Sequence, residues 1–315
     1  MQNIAPRRDW SCYTGDLKRQ GSLTVLIDPA LVACWSGEAG LRRPGGVRRY
    51  ADAVIEMCLL VRERFQLALR QTEGFVASVF DMMGLDRPVP DYTTLSRRAG
   101  GLKIVLSDLA RQLAPGAVPA MDATGLTVYR QDGRHRVEHG KGSGQAGKIA
   151  QWRKLHICID TGTGLIHAAG YGAANRNESL VAPDLLAPMK DAPVAAVCAD
   201  MAYDTTRCRR AVHDLGATRR IPPRRAARLA SENRRRLGPD DRAALAERDA
   251  AIARMRETDR RTWKIESGYH RRSLVETAMW RIRQASNARL SNRTENNRRT
   301  QALLKCKLAN ILHPA

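Results

Sequence analysis

Apolar residues recur at helical spacing from residue 47 to residue 83, and Gly84 follows as a C-cap before the breakers in L-D-R-P-V-P. A shorter helix is expected over D-Y-T-T-L-S-R-R, residues 91 to 98, with Asp91 or Thr93 as its cap and Arg97 and Arg98 near its end. Two helices joined by a Pro-containing link describe a helix-turn-helix-like DNA reader offering Thr94, Arg97 and Arg98. They describe an ordinary helical bundle equally well.

From about residue 115 the spacing becomes that of strands. A-V-P-A-M-D (117 to 122) is short and apolar and ends on Asp122, and T-V-Y-R (127 to 130) follows a turn at A-T-G-L. K-L-H-I-C-I-D (154 to 160) and L-I-H-A-A-G-Y (165 to 171) flank the turn T-G-T-G, and three antiparallel strands are expected here. A helix over 177 to 189 comes next, then the buried-type strand V-A-A-V-C-A-D (194 to 200), which ends on Asp200. A helix from 204 to 215 and a short strand near 219 to 223 complete a mixed α/β unit. Residues 224 to 262 read as an Arg-rich helical insertion, opened by Pro239, Asp240 and Asp241 and placing Leu245, Ile252 and Met255 on one stripe. The outline is an N-terminal helical region, 1 to 114, followed by an α/β region, 115 to 315.

Charge is spread unevenly over this outline. The chain carries 53 Lys+Arg against 32 Asp+Glu, a formal +21, with a pI near 10.5. Residues 1 to 114 hold 16 basic against 12 acidic side chains, 115 to 200 hold 9 against 8, and 201 to 315 hold 28 against 12, giving +4, +1 and +16. A near-neutral middle followed by a strongly basic third fits a compact core beside a surface for phosphates, of nucleic acid or of an acidic membrane. A solvated cationic face is the plainer account. No apolar run approaches the roughly eighteen residues of a membrane span, and M-Q-N-I-A-P-R-R-D-W lacks a signal-peptide stretch, so a cytoplasmic protein without membrane contact is expected. The cysteines, at 12, 34, 58, 158, 198, 208 and 306, are scattered and never C-x-x-C, which speaks against disulfides and zinc.

Two features resemble sites without the chemistry. G-S-G-Q-A-G-K-I (142 to 149) follows the P-loop pattern until Ile149, where Ser or Thr would bind Mg²⁺, and reads as a basic Gly-rich loop. His135, His139 and His156 lie between strands without ligand spacing; approach to DNA and a structural role are both open.

The stretch Y-H-R-R-S-L-V-E-T-A-M-W-R-I-R, 269 to 283, holds one acid, Glu276. On a helix, Tyr269, Arg272, Glu276 and Arg283 fall within roughly 60° of one another, opposite Leu274, Val275, Ala278, Ile282 and Ala285. Helix geometry alone leaves two readings. Arg272 and Glu276 form a solvated i,i+4 pair, or Glu276 joins the strand-end Asp122 and Asp200 in a carboxylate cluster that requires a divalent cation. Trp280, close to the same stripe, stacks an unpaired base or fills the core. Strand Asp, strand Asp and helix Glu in this element order suit a two-metal phosphoryl-transfer centre.

These residues resemble the DDE transposases of bacterial insertion sequences, of the insertion sequence five type, from about residue 9 to residue 300. The 269–283 stretch is similar to their Y-x2-R-x3-E-x6-K signature, supplying Tyr269, Arg272 and Glu276, while M-D-A-T-G-L and C-A-D-M-A-Y-D resemble the segments of the two aspartates. W-R-K-L-H (152 to 156), I-P-P-R-R (221 to 225), G-S-L-T-V near residue 21 and P-D-Y-T-T-L-S-R-R also look familial. Arg283 stands where the signature has Lys, Met201 where glycine is usual, and the ending K-L-A-N-I-L-H-P-A departs from the family's. Met201 is expected to crowd the strand end.

The resemblance implies an RNase H-like mixed-sheet core in which Asp122, Asp200 and Glu276 hold two Mg²⁺ ions, replaceable by Mn²⁺. It implies cleavage at insertion-sequence ends and strand transfer into target DNA. Tyr269, Arg272 and Arg283 would bind phosphate, with Arg97 and Arg98 added from the helical region. The implied partner is double-stranded DNA, as terminal inverted repeats and target, bound by a homodimer at the nucleoid. Two rivals stay open: a catalytically decayed or repurposed DNA-binding protein of the same fold, and a metal-dependent nuclease without strand transfer.

Overall fold

The computed structural model describes residues 10–33, 35, 49–106, 113–128, 152–232 and 239–313. The P-loop-like segment 142–149, His135 and His139 lie outside them. Helices α1 (Trp10–Gln20), α2 (Pro29–Ala33), α3 (Asp52–Phe65), α4 (Leu69–Met82) and α5 (Tyr92–Ala99) precede the sheet. Then follow β1 (Pro119–Val128), β2 (Trp152–Asp160), β3 (Ile166–Ala173), α6 (Glu178–Leu186), β4 (Ala196–Ala199), α7 (Thr206–His213) and β5 (Thr218–Arg220). The chain continues through α8 (Pro239–Glu257), α9 (Arg260–Glu266), α10 (Leu274–Ala285), β6 (Arg289–Leu290) and α11 (Glu295–Ile311). No helix among the described residues is long and apolar enough to cross a membrane.

The strands form one mixed sheet in the order β3-β2-β1-β4-β5. β1–β2 and β2–β3 pair antiparallel, β1–β4 and β4–β5 parallel, and β6 pairs parallel to the far end of β1. Alternation along the strands sends side chains to opposite faces. Ala120, Leu126 and Cys198 join a core with α3, α10 and α11, while Met121, Val197 and Ala199 join a second core with α6 and α7. The first core runs without a break from α3 to the sheet. A buried polar chain also locks α3 to α11: Lys305 Nζ lies 2.7 Å from Glu63 Oε2, and Gln301 Nε2 donates to Glu63 Oε1 at 2.9 Å.

Several expected boundaries move. The turn expected at 123–126 does not form: β1 runs straight through it, paired with β2 from Pro119↔Asp160 to Thr127↔Trp152. Gly125 is there because Trp152 packs on it; a Cβ would stand 2.8 Å from the indole Cε3. The expected helix over 47–83 breaks at Gln66, whose left-handed backbone (φ 55°) ends α3. Gln66 Nε2 holds that break to Ser286 O at 3.0 Å. The caps at Gly84 (φ +65°) and Asp91 form as expected, Asp91 accepting the Thr93 and Thr94 N–H groups at 2.8 and 3.0 Å. The insertion helix opens at Pro239 and buries Leu245 and Ile252.

Candidate active site

Parallel register places the two aspartates. β1 and β4 are in step at Ala120↔Cys198 and Met121↔Ala199, and the next residue on each chain is Asp122 and Asp200. Two residues beyond Ala120 and Cys198, both carboxylates come out on the face covered by α10. Asp122 Oδ1 accepts the Ala123 N–H at 2.8 Å. Asp200 caps a 3₁₀ turn, Met201–Tyr203, by accepting the Ala202 N–H at 2.8 Å.

The third acid arrives through an arginine. Arg272 Nη1 donates to Asp122 Oδ2 at 2.7 Å and its Nη2 to Glu276 Oε1, so one guanidinium bridges the strand and the helix. The local pair and the link to Asp122 thus coexist. Burial pushes the Asp122 carboxyl above its ordinary range and the Asp200 charge adds to this, against the lowering by the Ala123 N–H and Arg272. For Arg272, burial alone would weaken proton binding; Tyr269, Asp122 and Glu276 reverse this and raise it.

The continuous helix expected over 269–283 is in two parts. Tyr269–Ser273 is a 3₁₀ turn entered through Gly268 in the left-handed region (φ +68°), and α10 starts at Leu274. Gly268 is also a close approach, since a Cβ there would lie 3.1 Å from Arg220 Nη1. Val275, Ala278, Ile282 and Ala285 are buried as expected, Met279 joins them, and Leu274, the first residue of α10, is instead exposed. Tyr269 is half-buried against Trp263, with Lys264 Nζ 5.1 Å from its ring centre. Burial raises its phenol pKa, and Asp200 and Asp122 add to that against Arg272.

Arg283 Nη2 donates to Thr124 Oγ1 at 2.9 Å, on β1 two residues past Asp122. Trp280 is 58% exposed, which excludes it from the core. Met201 is 45% exposed and outside the left-handed region, so the turn neither needs glycine there nor is crowded by the side chain. His156 is fully buried in β2 and does not reach the surface. Arg97 and Arg98 are not brought to this site; α5 packs on α3, α4 and α11. Arg97 is exposed and donates to Thr93 Oγ1 at 2.8 Å, while Arg98 is committed to Asp52 and the Tyr50 carbonyl. Nothing in the local sequence pattern singles out Asp204.

Three carboxylates are the hard oxygen donors that divalent cations prefer, and the raised Asp122 carboxyl is what a cation would relieve. The donor chemistry fits. In this arrangement, however, Arg272 occupies the space between carboxylates, and among the described residues no group of three or more His, Cys, Asp or Glu side chains is gathered as a metal-holding cluster.

Two family models match the chain, both described as a transposase DDE domain. One covers residues 18–131 and the other residues 115–311, more than half the chain. Among solved structures, a Mos1 transposase paired-end complex with left transposon end is similar at 14% identity, with a TM-score of 0.22. That likeness covers 59% of this chain and 62% of that one.

Proposed function

Because this chain belongs to the transposase DDE-domain family, we propose that it cuts DNA at the ends of an insertion sequence and joins those ends to target DNA. The family depends on divalent metal. In this reading Asp122, Asp200 and Glu276 hold two Mg²⁺ ions, which Mn²⁺ can replace. The observation that carries it is an excess of carboxylate where β4 ends beside the middle of β1: Asp122 and Asp200 in step on parallel strands, with Glu276 sharing Arg272 with Asp122.

When bound, such ions supply Lewis acidity toward the attacking and leaving oxygens of a phosphodiester. The chain's own residues orient the substrate. Arg272 has a fork that matches phosphate as well as carboxylate, so it counter-charges the acids without DNA and grips the backbone with it. Tyr269 offers its phenol beside Arg272, and Arg283 binds phosphate further along α10. The partners are terminal inverted repeats and target DNA, engaged at the nucleoid in the cytoplasm by a homodimer that pairs two ends. The division into a DNA-binding region, 1–114, which includes Arg97 and Arg98, and a catalytic region, 115–315, belongs to the same proposal.

The test compares wild type with Glu276→Gln for Mg²⁺-dependent cleavage and joining of DNA carrying the sequences that flank this gene. We expect the variant to lose both activities by about 10³-fold or more while binding DNA within about threefold of wild type. Cleavage without joining by wild type would reassign the chain to the nucleases. Binding without cleavage by wild type would leave only a DNA-binding protein.

A further inference from the structure

Four residues after Asp200, Asp204 is 5% exposed yet ionic, and both its oxygens are taken. Oδ1 accepts from Arg219 Nη2 at 2.6 Å and Arg209 Nη1 at 3.0 Å. Oδ2 accepts from the Arg224 N–H at 2.9 Å and Arg248 Nε at 3.4 Å. These donors come from β5, α7, the chain after β5, and the insertion helix α8. One carboxylate therefore ties four segments to the turn that Asp200 opens. The insertion has further ties here: Glu247 Oε2 accepts the Arg219 N–H at 2.9 Å, Arg248 Nη1 donates to Arg228 O at 2.8 Å, and Asp249 Oδ2 accepts the Ala230 N–H at 2.8 Å.

The turn between the two aspartates is short and fully used. Tyr203 N–H bonds Asp200 O and Asp204 N–H bonds Met201 O, each at 3.2 Å, with the Tyr203 side chain completely buried. Such a turn has no slack, so displacing Asp204 displaces Asp200. An apolar residue would dock a helix at less desolvation cost than a carboxylate among three arginines. The arginine excess makes Asp204 the acid through which α8 is tied to the Asp200 turn.

Building on the transposase reading, we infer that Asp204 is a positioning residue for the reaction: it clamps the turn carrying Asp200 to the docked Arg-rich insertion, so that the seating of α8 holds Asp200 in place. Asp204 does not touch DNA or the reacting atoms. Its effect falls on turnover rather than on DNA affinity.

The experiment uses the full chain and two readouts, with Arg248→Met as the main variant because it removes the insertion's arginine from Asp204, along with its bond to Arg228 O, and leaves Arg209 and Arg219 in place. Arg248→Lys is the conservative control and Asp204→Asn the direct variant. In DNA-free protein, Arg248→Met is expected to speed hydrogen exchange at the amides of 201–204 by roughly tenfold or more, leaving those of 54–61 in α3 unchanged. In cleavage assays kcat is expected to fall about tenfold to a hundredfold, with KM for DNA within about threefold and partial recovery in Arg248→Lys. Unchanged exchange at 201–204 would overturn the clamp. A change in KM alone would show that α8 merely contacts DNA, and a folded Asp204→Asn with wild-type kcat would do the same damage. A wild type that does not cleave defeats the transposase reading instead, and the exchange readout still decides whether Asp204 holds the Asp200 turn.

Discussion

Two arginine–aspartate clusters stand at opposite ends of the turn from Asp200 to Asp204, and they are built in opposite proportions. Beyond Asp200, two acids, Asp122 and Glu276, share Arg272, and the Glu276 side chain is 59% exposed. At Asp204 three arginines share one acid, and that carboxylate is 1% exposed. The first cluster is short of positive charge and open, as a cation site is before loading. The second is closed and saturated. The two pKa directions repeat the contrast. Burial raises both carboxyls, but at Asp204 Arg219, the Arg224 N–H, Arg248 and Arg209 outweigh it and hold the group below its ordinary value, whereas Asp122 stays above. Charge ratio and exposure, rather than the mere presence of an ion pair, separate the candidate active site from a fastening.

The largest test of that contrast is thermal. Asp204→Asn would strand three arginines around a neutral amide and should cost about 3–5 kcal/mol of stability. Glu276→Gln loses one exposed pair and should cost about 0–1 kcal/mol. Thermal unfolding of the two variants at neutral pH measures both, and comparable losses would break the comparison.

Acid titration should separate the clusters by sign. The folded Asp204 has a pKa below that of the unfolded chain, so its contribution is full above the unfolded value, near 4, and is lost as pH falls through the lower folded value. The folded Asp122 has a raised pKa, so it favours folding only below the unfolded value, and that preference is lost as pH rises through the folded one. At pH 7 Asp122→Asn should therefore leave stability equal or about 1 kcal/mol higher, the opposite of Asp204→Asn. Melting curves from pH 7 to pH 3 follow both effects, and the deficit of Asp204→Asn should shrink at the acid end.

This contrast was half legible in the sequence. Asp200 and Glu276 were readable because each closes or opens an apolar pattern, whereas Asp122, expected to end its strand, lies inside β1, and its parallel register with Asp200 is set by tertiary pairing. The rest depends on distant partners. Asp204 meets arginines 5, 15 and 44 residues further on, and no local spacing predicts that meeting. Gly125 carries a turn-forming residue type, yet Trp152 on the next strand explains it. Gln66 adopts the left-handed conformation without the glycine that normally announces it, held by Ser286 more than two hundred residues away. Local signals gave the elements; tertiary contacts set their ends.

A smaller effect is expected at Arg272. Its guanidinium repels a cation entering between Asp122 and Glu276, so Arg272→Gln should tighten Mn²⁺ binding to DNA-free protein by about threefold to tenfold. The same variant should weaken DNA binding. Electron paramagnetic resonance of free Mn²⁺ reads the first effect and a DNA titration the second. Looser Mn²⁺ binding in the variant would mean that Arg272 shapes the carboxylates rather than competing for them.

The smallest effect belongs to Arg283, where the signature it resembles has lysine. The side chain is exposed, and its contact in the described structure is the Thr124 hydroxyl at 2.9 Å. Arg283→Lys keeps the charge and gives up that bond, so stability should change by no more than about 0.5 kcal/mol. Removing the charge is more informative. If Arg283 binds a backbone phosphate, Arg283→Ala should lower the slope of log K against log salt by about one, by the same amount for element-end and unrelated DNA. Arg248→Ala should leave that slope unchanged, since Arg248 is committed to Asp204. Equal slopes for wild type and Arg283→Ala would remove α10 beyond Glu276 from the DNA surface, and a lowered slope for Arg248→Ala would show that the closed cluster opens when DNA binds.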